Sequence, residues 1–261
     1  MKNSRNNLRS NSSGQLLLVA ALAIALLISS TTVYVYELSK ETNVADSSPT
    51  DDFVSALRQS VVNTMVGSLA NISNGGDRAV LGTNLNALSE VVLSLKQFGI
   101  SQLDFSLLND ATYDSGVQLS WNTSDVGISS AYADFKVRVY GAAANITAGY
   151  AINVTTTLTI SGSFVALSGD ERLINLTCQV YNEGEPALSK NVTLFYENLG
   201  SWIPVDSSNN LSIMDYGNGT YTISLTVNGP PVIPPDSIQV SANIYDTREI
   251  RVQANTTCYE T

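Results

Sequence analysis

Residues 16–36 form an uncharged, mostly apolar run, with only basic charges before it and Glu37 directly after it. As a helix rising about 1.5 Å per residue, the run measures ~31 Å, close to the thickness of a bilayer's hydrocarbon core. Lys2, Arg5 and Arg9 precede it without an acid. The pattern therefore predicts a transmembrane helix over residues 15–37, a cytoplasmic basic tail at 1–14 and an exported remainder. The expected localisation is the cell membrane, single-pass, with lipid as the partner of residues 15–37 and the C-terminal bulk extracellular.

A polar stretch at 38–50 reads as a linker. Beyond it, Phe53, Leu57, Val61, Met65, Leu69 and Ile72 recur at helical spacing, after the capping sequence Thr50-Asp51-Asp52. Ser73-Asn74-Gly75-Gly76 ends that helix. A second stripe of Leu81, Leu85, Leu88, Val92, Leu95 and Phe98 stops at Gly99. The short glycine loop predicts an amphipathic helical hairpin. From about residue 113 the period drops to two. Val117-Leu119-Trp121, Ala133-Phe135-Val137-Val139 and Ile152-Val154-Leu158-Ile160 each alternate, and the last two sets predict a hairpin. Residues 51–168 thus read as helices covering one face of a small antiparallel sheet.

Residues 169–261 carry only the strand period, with candidate strands at 172–181, 190–197, 219–227, 237–245 and 248–258. Turn-rich stretches separate them, which suggests a distinct β-sandwich. The expected class is α+β: an N-terminal transmembrane helix, a helical hairpin with a small sheet, and a C-terminal sandwich.

The net charge of −10 sums +3 in the first 14 residues and −13 in the rest, where 10 basic groups face 23 acidic ones, so nucleic acid is not an expected partner. Histidine does not occur, which removes Ser-His-Asp and Cys-His catalysis. With only two cysteines as well, a transition-metal centre has almost no ligands to draw on.

Those cysteines, Cys178 and Cys258, share the apolar parity of the first and last strands of the C-terminal region. That placement suits either a disulfide, worth ~4.5 kcal/mol in the chain-entropy model, or two buried thiols. A disulfide is preferred, and it implies an oxidising compartment. Asn71, Asn122, Asn145, Asn153, Asn175, Asn191, Asn210, Asn218 and Asn255 each begin an Asn-x-Ser/Thr sequence and are candidate glycosylation acceptors. Asn153, Asn175, Asn191 and Asn255 sit opposite the apolar parity of their strands, where a glycan would project outward.

Two resemblances add to this reading. The segment Ser12-Ser13-Gly14-Gln15-Leu16-Leu17-Leu18-Val19-Ala20-Ala21 resembles the start of archaeal type IV pilin-like proteins. The resemblance implies processing between Gly14 and Gln15, with the apolar helix kept as an anchor or filament spine. Ser13 stands where such sites often have a basic residue, and Val19 where many pilins carry glutamate. A plain single-pass anchor and a cleaved secretory signal remain the alternatives for this segment. Further on, Asp215-Tyr216-Gly217-Asn218-Gly219-Thr220-Tyr221 resembles the turn-into-strand signature of Ig-like surface sandwiches. It implies that Tyr221 locks a corner through its hydroxyl, with Asp215, Gly217 and Gly219 shaping the turn. Ile223 occupies the place of the antibody cysteine.

The function expected from these readings is an anchored extracellular structural or adhesion protein, with its own copies, a surface protein or a glycan as partners. Binding would use the loop 198–218, which includes Trp202 and Tyr216. The alternatives are a ligand-binding ectodomain of a larger complex and an anchored hydrolase. Without histidine, such a hydrolase would depend on paired carboxylates, near Asp104, Asp110 and Asp114 or near Asp46, Asp51 and Asp52, on a lysine, or on a bound divalent cation. No catalytic residue and no cofactor is assigned, although Asp206, Asn209, Asn210, Asp215 and Asn218 offer hard oxygens suited to calcium.

Overall fold

The computed structural model describes residues 49–95, 100–121, 124–140, 145–228 and 237–261. The chain divides into two compact units, Met1–Phe53 and Val54–Thr261. The second holds nearly all of the described residues.

Among the described residues, two helices, α1 (Pro49–Ser73) and α2 (Ala79–Ser94), precede twelve strands. The apolar stripe of α1 is buried at Leu57, Val61, Met65, Leu69 and Ile72, and that of α2 at Leu81, Leu85 and Val92. Asn84 on α2 donates to the Ser68 hydroxyl on α1 at 2.9 Å, so the polar line between the helices is also satisfied. The strands are β1 (Ile100–Leu107), β2 (Val117–Ser120), β3 (Val126–Tyr140), β4 (Asn145–Ala166), β5 (Glu171–Asn182) and β6 (Glu185–Pro186). After them come β7 (Ser189–Asn198), β8 (Ser201–Pro204), β9 (Ser212–Asp215), β10 (Thr220–Asn228), β11 (Ser237–Asp246) and β12 (Arg251–Glu260).

All twelve belong to one sheet. Its long path runs β8-β7-β11-β12-β4-β5-β10-β9, with β1 and β2 attached through β3 to β4. Every pairing between strands is antiparallel except β12 with β4, which is parallel at Tyr259↔Ser163 and Glu260↔Phe164. Side chains from β4, β5 and β10 on one side, and from β7, β11 and β12 on the other, meet in a single cluster. Ile160, Phe164, Leu176, Ile223, Leu194, Val240 and Val252 are among its members.

Strand β4 corrects the expected fold class. It runs for 22 residues. Its first part pairs with β3 from Asn145 to Thr159, and its second part pairs with β5 from Thr156 to Ala166. The expected small sheet and separate Ig-like sandwich are therefore one mostly-β structure. The physical cause is the pleat itself. Ile152, Val154, Leu158, Ile160 and Phe164 all fall on one buried parity, so a single strand serves both halves.

The membrane expectation is corrected as well. No helix among the described residues is long and apolar enough to cross a membrane. Residues 15–37, on which the single-pass transmembrane and extracellular placement rested, lie outside the described residues, as do Gly14 and Gln15. The expected disulfide is not formed: Cys178 and Cys258 are both buried free thiols. Their strands, β5 and β12, lie on opposite sides of β4. Two strand spacings of ~4.8 Å separate them, beyond the Cα reach of about 7 Å that a disulfide allows.

Candidate interaction surface

Residues 198–218 cross from one end of the sheet path to the other, carrying β8 and β9, the two terminal strands. A short 3-10 turn at Ser207–Asn209 lies between them. The turn builds itself: Asp206 accepts from the Ser208 amide at 2.8 Å and its hydroxyl at 2.6 Å, while Asn209 accepts from the Asp206 amide at 3.0 Å. The hydroxyl and amide of Ser208 hold the Asp206 carboxyl below its ordinary range. Asn209 also donates to the Thr226 carbonyl at 3.0 Å, and the Val205 amide donates to Leu194 at 2.9 Å. The crossing is thus pinned to both β10 and β7.

This pinned segment leaves apolar side chains in solvent. Leu199 is 83% exposed, Trp202 41%, Met214 58% and Tyr216 55%, and Ile213 is exposed as well. Strand β9 is exposed at every position. Single exposed apolar residues are ordinary; here five fall within one connection that fastens itself to the fold.

The turn out of this segment rests on the residues expected there. Asp215 accepts from the Gly217 amide at 2.8 Å, and Asn218 accepts from the Thr220 amide at 3.1 Å. Gly217 and Gly219 take φ of 71° and 80°. At Gly219 a Cβ would stand 2.7 Å from the Ala187 carbonyl oxygen and 2.8 Å from that of Val180, so only glycine fits. Tyr221 is buried, and its hydroxyl accepts from the Ser189 amide at 2.8 Å.

Of the oxygens proposed for calcium, those of Asp206, Asn209, Asp215 and Asn218 are those same turn acceptors. Asn210 takes a left-handed conformation at the end of the 3-10 turn. Among the described residues no group of three or more His, Cys, Asp or Glu side chains is placed to hold a metal. The candidate carboxylates of the hydrolase reading are also dispersed. Asp104 pairs with Arg138 at 2.7 Å and Asp114 with Arg78 at 3.1 Å. Asp110 accepts from the Thr112 and Tyr113 amides, Tyr113 foremost, which hold its carboxyl below the usual range. Asp46 lies outside the described residues, and Asp52 is exposed.

The glycosylation candidates divide by exposure. Asn71, Asn145, Asn153, Asn175, Asn191, Asn210 and Asn218 are exposed, Asn255 is half-buried, and Asn122 lies outside the described residues. Asn255 is hemmed in: its carbonyl accepts from Asp125 and its side chain from Gln253. Asn153 accepts from the hydroxyls of Ser130 and Thr155 at 2.8 and 3.0 Å.

One charged assembly had no counterpart in the sequence reading. Asp246, at the end of β11, is fully buried. It accepts from Arg248 Nε at 2.8 Å, Thr156 Oγ1 at 3.0 Å and the amides of Arg248 and Ile250 at 2.8 and 2.9 Å. Arg248 reaches on to Glu183 at 2.7 Å and to the Thr155 carbonyl at 3.1 Å. Burial opposes its charge, but the hydrogen bonds and charges of Glu183 and Asp246 outweigh that and raise its pKa. The residues are 65 and 93 positions from Arg248, so no local motif announces them. Glu183 and Arg248 also border a cleft of about 420 Å³ with Arg58, Val62 and residues 151–154.

No protein-family model, no curated protein and no solved structure matches this chain, so its site is defined by its own geometry alone.

Proposed function

We propose that this protein is a structural or interaction protein that works by presenting a surface rather than by turning over a substrate. The observation that carries the reading is the crossing at 198–218. It is fastened to β7 and β10 by its own hydrogen bonds, and it exposes Leu199, Trp202, Ile213, Met214 and Tyr216. A segment held this firmly gives up little conformational entropy when a partner covers its apolar groups. Aromatic residues are the usual anchors of such contacts. The partner is a protein or glycan surface, or a further copy of this chain in an assembly.

Of the carboxylates that would serve a histidine-free hydrolase, Asp104, Asp110 and Asp114 are engaged in separate ion pairs and a turn, which supports the same reading. The test couples binding to turnover. The Trp202→Ala/Tyr216→Ala chain should keep its fold by circular dichroism and lose association with copies, or with arrayed glycans and surface proteins that the native chain retains. Glycoside or ester hydrolysis by the native chain, abolished by Asp104→Asn or Asp114→Asn, would replace this reading with an enzymatic one.

A further inference from the structure

Among the described residues, strand β4 has a paired strand on one side only over its first eleven residues. Its pairing with β3 covers Asn145 to Thr159, whereas β5 joins it only from Thr156 onward. At the junction, side chains imitate the next strand. The Thr155 amide donates to Glu183 Oε1 at 3.0 Å, and its carbonyl accepts from the Glu183 amide and from Arg248, each at 3.1 Å. Thr155 therefore points its backbone groups away from β3. In an antiparallel ladder this direction alternates, so Asn153, Ala151 and Gly149 point theirs the same way. Among the described residues no strand pairs with them there.

This open edge forms one wall of the cleft of about 420 Å³. Residues 151–154 line it from β4, together with Arg58 and Val62 of α1 and with Glu183 and Arg248. The apolar parity of β4 supplies Ile152 and Val154. Arg58 is exposed, and its guanidinium lies 5.7 Å from the centre of the Tyr150 ring. None of the ion pairs among the described residues involves it, in a chain of net charge −10. Arg248, by contrast, is consumed by Asp246 and Glu183.

We infer that the cleft is a strand-addition site, in which an extended peptide of another protein pairs with β4 at residues 149–153 and sets a carboxylate against Arg58. The backbone ladder supplies affinity without regard to sequence. The arginine, held over an aromatic ring and in no ion pair among the described residues, selects a peptide with a side-chain or terminal carboxylate. The site is separate from the crossing at 198–218, although it rests on the same reading of the chain as an interaction protein.

The experiment pans a library of octapeptides with free C-termini on the full-length chain, unmodified at Asn153. Enriched peptides should carry β-branched residues and a carboxylate. Arg58→Glu should weaken their binding at least tenfold, and Arg58→Lys should restore most of it. The amides of Gly149, Ala151 and Asn153 should exchange more slowly in the complex, and N-methylation of alternate peptide residues should abolish it. Amidating the terminus, or changing acidic side chains to amides, shows which carboxylate is read. Unchanged binding after both replacements overturns the site, as does a failure of any peptide to prefer the native chain over Arg58→Glu. Protection of those amides that grows with chain concentration alone would assign the edge to a second copy and also overturn it. Binding lost in Trp202→Ala but kept in Arg58→Glu would refute this site and leave the proposed function standing.

Discussion

The hydroxyl of Tyr221 accepts the backbone amide of Ser189 at 2.8 Å. The bond joins β10 to the first residue of β7, and so ties one side of the core cluster to the strand that crosses to the other. Tyr221 is buried, which means that no water replaces the hydroxyl if it is removed. Tyr221→Phe should lower stability by about 1–3 kcal/mol in urea titration, with the unfolding slope unchanged. A loss below the resolution of the titration would mean that the corner is not held by this bond.

Asp246→Ala should be more damaging. It strands the half-buried Arg248 and leaves the amides of Arg248 and Ile250 without an acceptor. Removing one partner of a buried pair costs about 3–5 kcal/mol. Glu183 still holds the other side of Arg248, so the lower figure is expected. Thermal unfolding of the variant beside Glu183→Gln, which loses only the more exposed arm, ranks the two contributions.

Gly127 admits no side chain. A Cβ there would stand 1.9 Å from the Gln253 carbonyl oxygen, where the start of β3 meets β12. Gly127→Val should cost about 3 kcal/mol or more, since backbone on both sides must move. Recovery of native-like stability in that variant would show that the two strands separate easily.

The two thiols give a pH signature. Burial pushes Cys178 up to about 12; burial, with the nearby Asp125 charge, does the same for Cys258. Each folded thiol thus keeps its proton at a pH where the unfolded thiol, with its ordinary value of 9.0, has lost it. The unfolded state binds fewer protons in that window, so stability is whole below pH 9 and falls toward pH 12. Chemical denaturation between these limits should show the decline, and Cys178→Ala should make it shallower. The thiols should also react with a disulfide reagent only upon unfolding.

Much of the local structure is written in the chain. The stripe from Leu57 to Ile72 is buried as a helix face, and alternation marks the positions of β3, β5, β10, β11 and β12. The cysteines' inward parity is equally visible, because parity is a property of one strand. Whether two inward thiols meet is not, and β4 keeps these two apart. Strand β1 has no assignment in the sequence reading. Its residues Ser101 and Leu103 are buried and Phe105 is half-buried, but its register with β3 comes from long-range pairing.

Among the candidate sites, the exposed crossing at 198–218 is half legible: Trp202 and Tyr216 stand out, while the exposure of Ile213 and Met214 depends on β9 ending the sheet. The cleft beside β4 is not legible at all. Arg58, Glu183 and Arg248 are scattered along the chain and carry no motif, and the Asn-x-Thr sequence at Asn153 points to a glycan rather than to a cleft.

The sequence by itself determined the periodicities, the turn chemistry around Asp215 to Tyr221 and the absence of an imidazole. These are local facts, fixed by residue type and spacing. Only the tertiary structure decided that β4 belongs to both halves, that among the described residues no strand pairs with one of its edges and that Arg58 lines the cleft there. Strand neighbours are chosen by contacts between residues distant along the chain, and such contacts leave no period in the sequence for a reader to find.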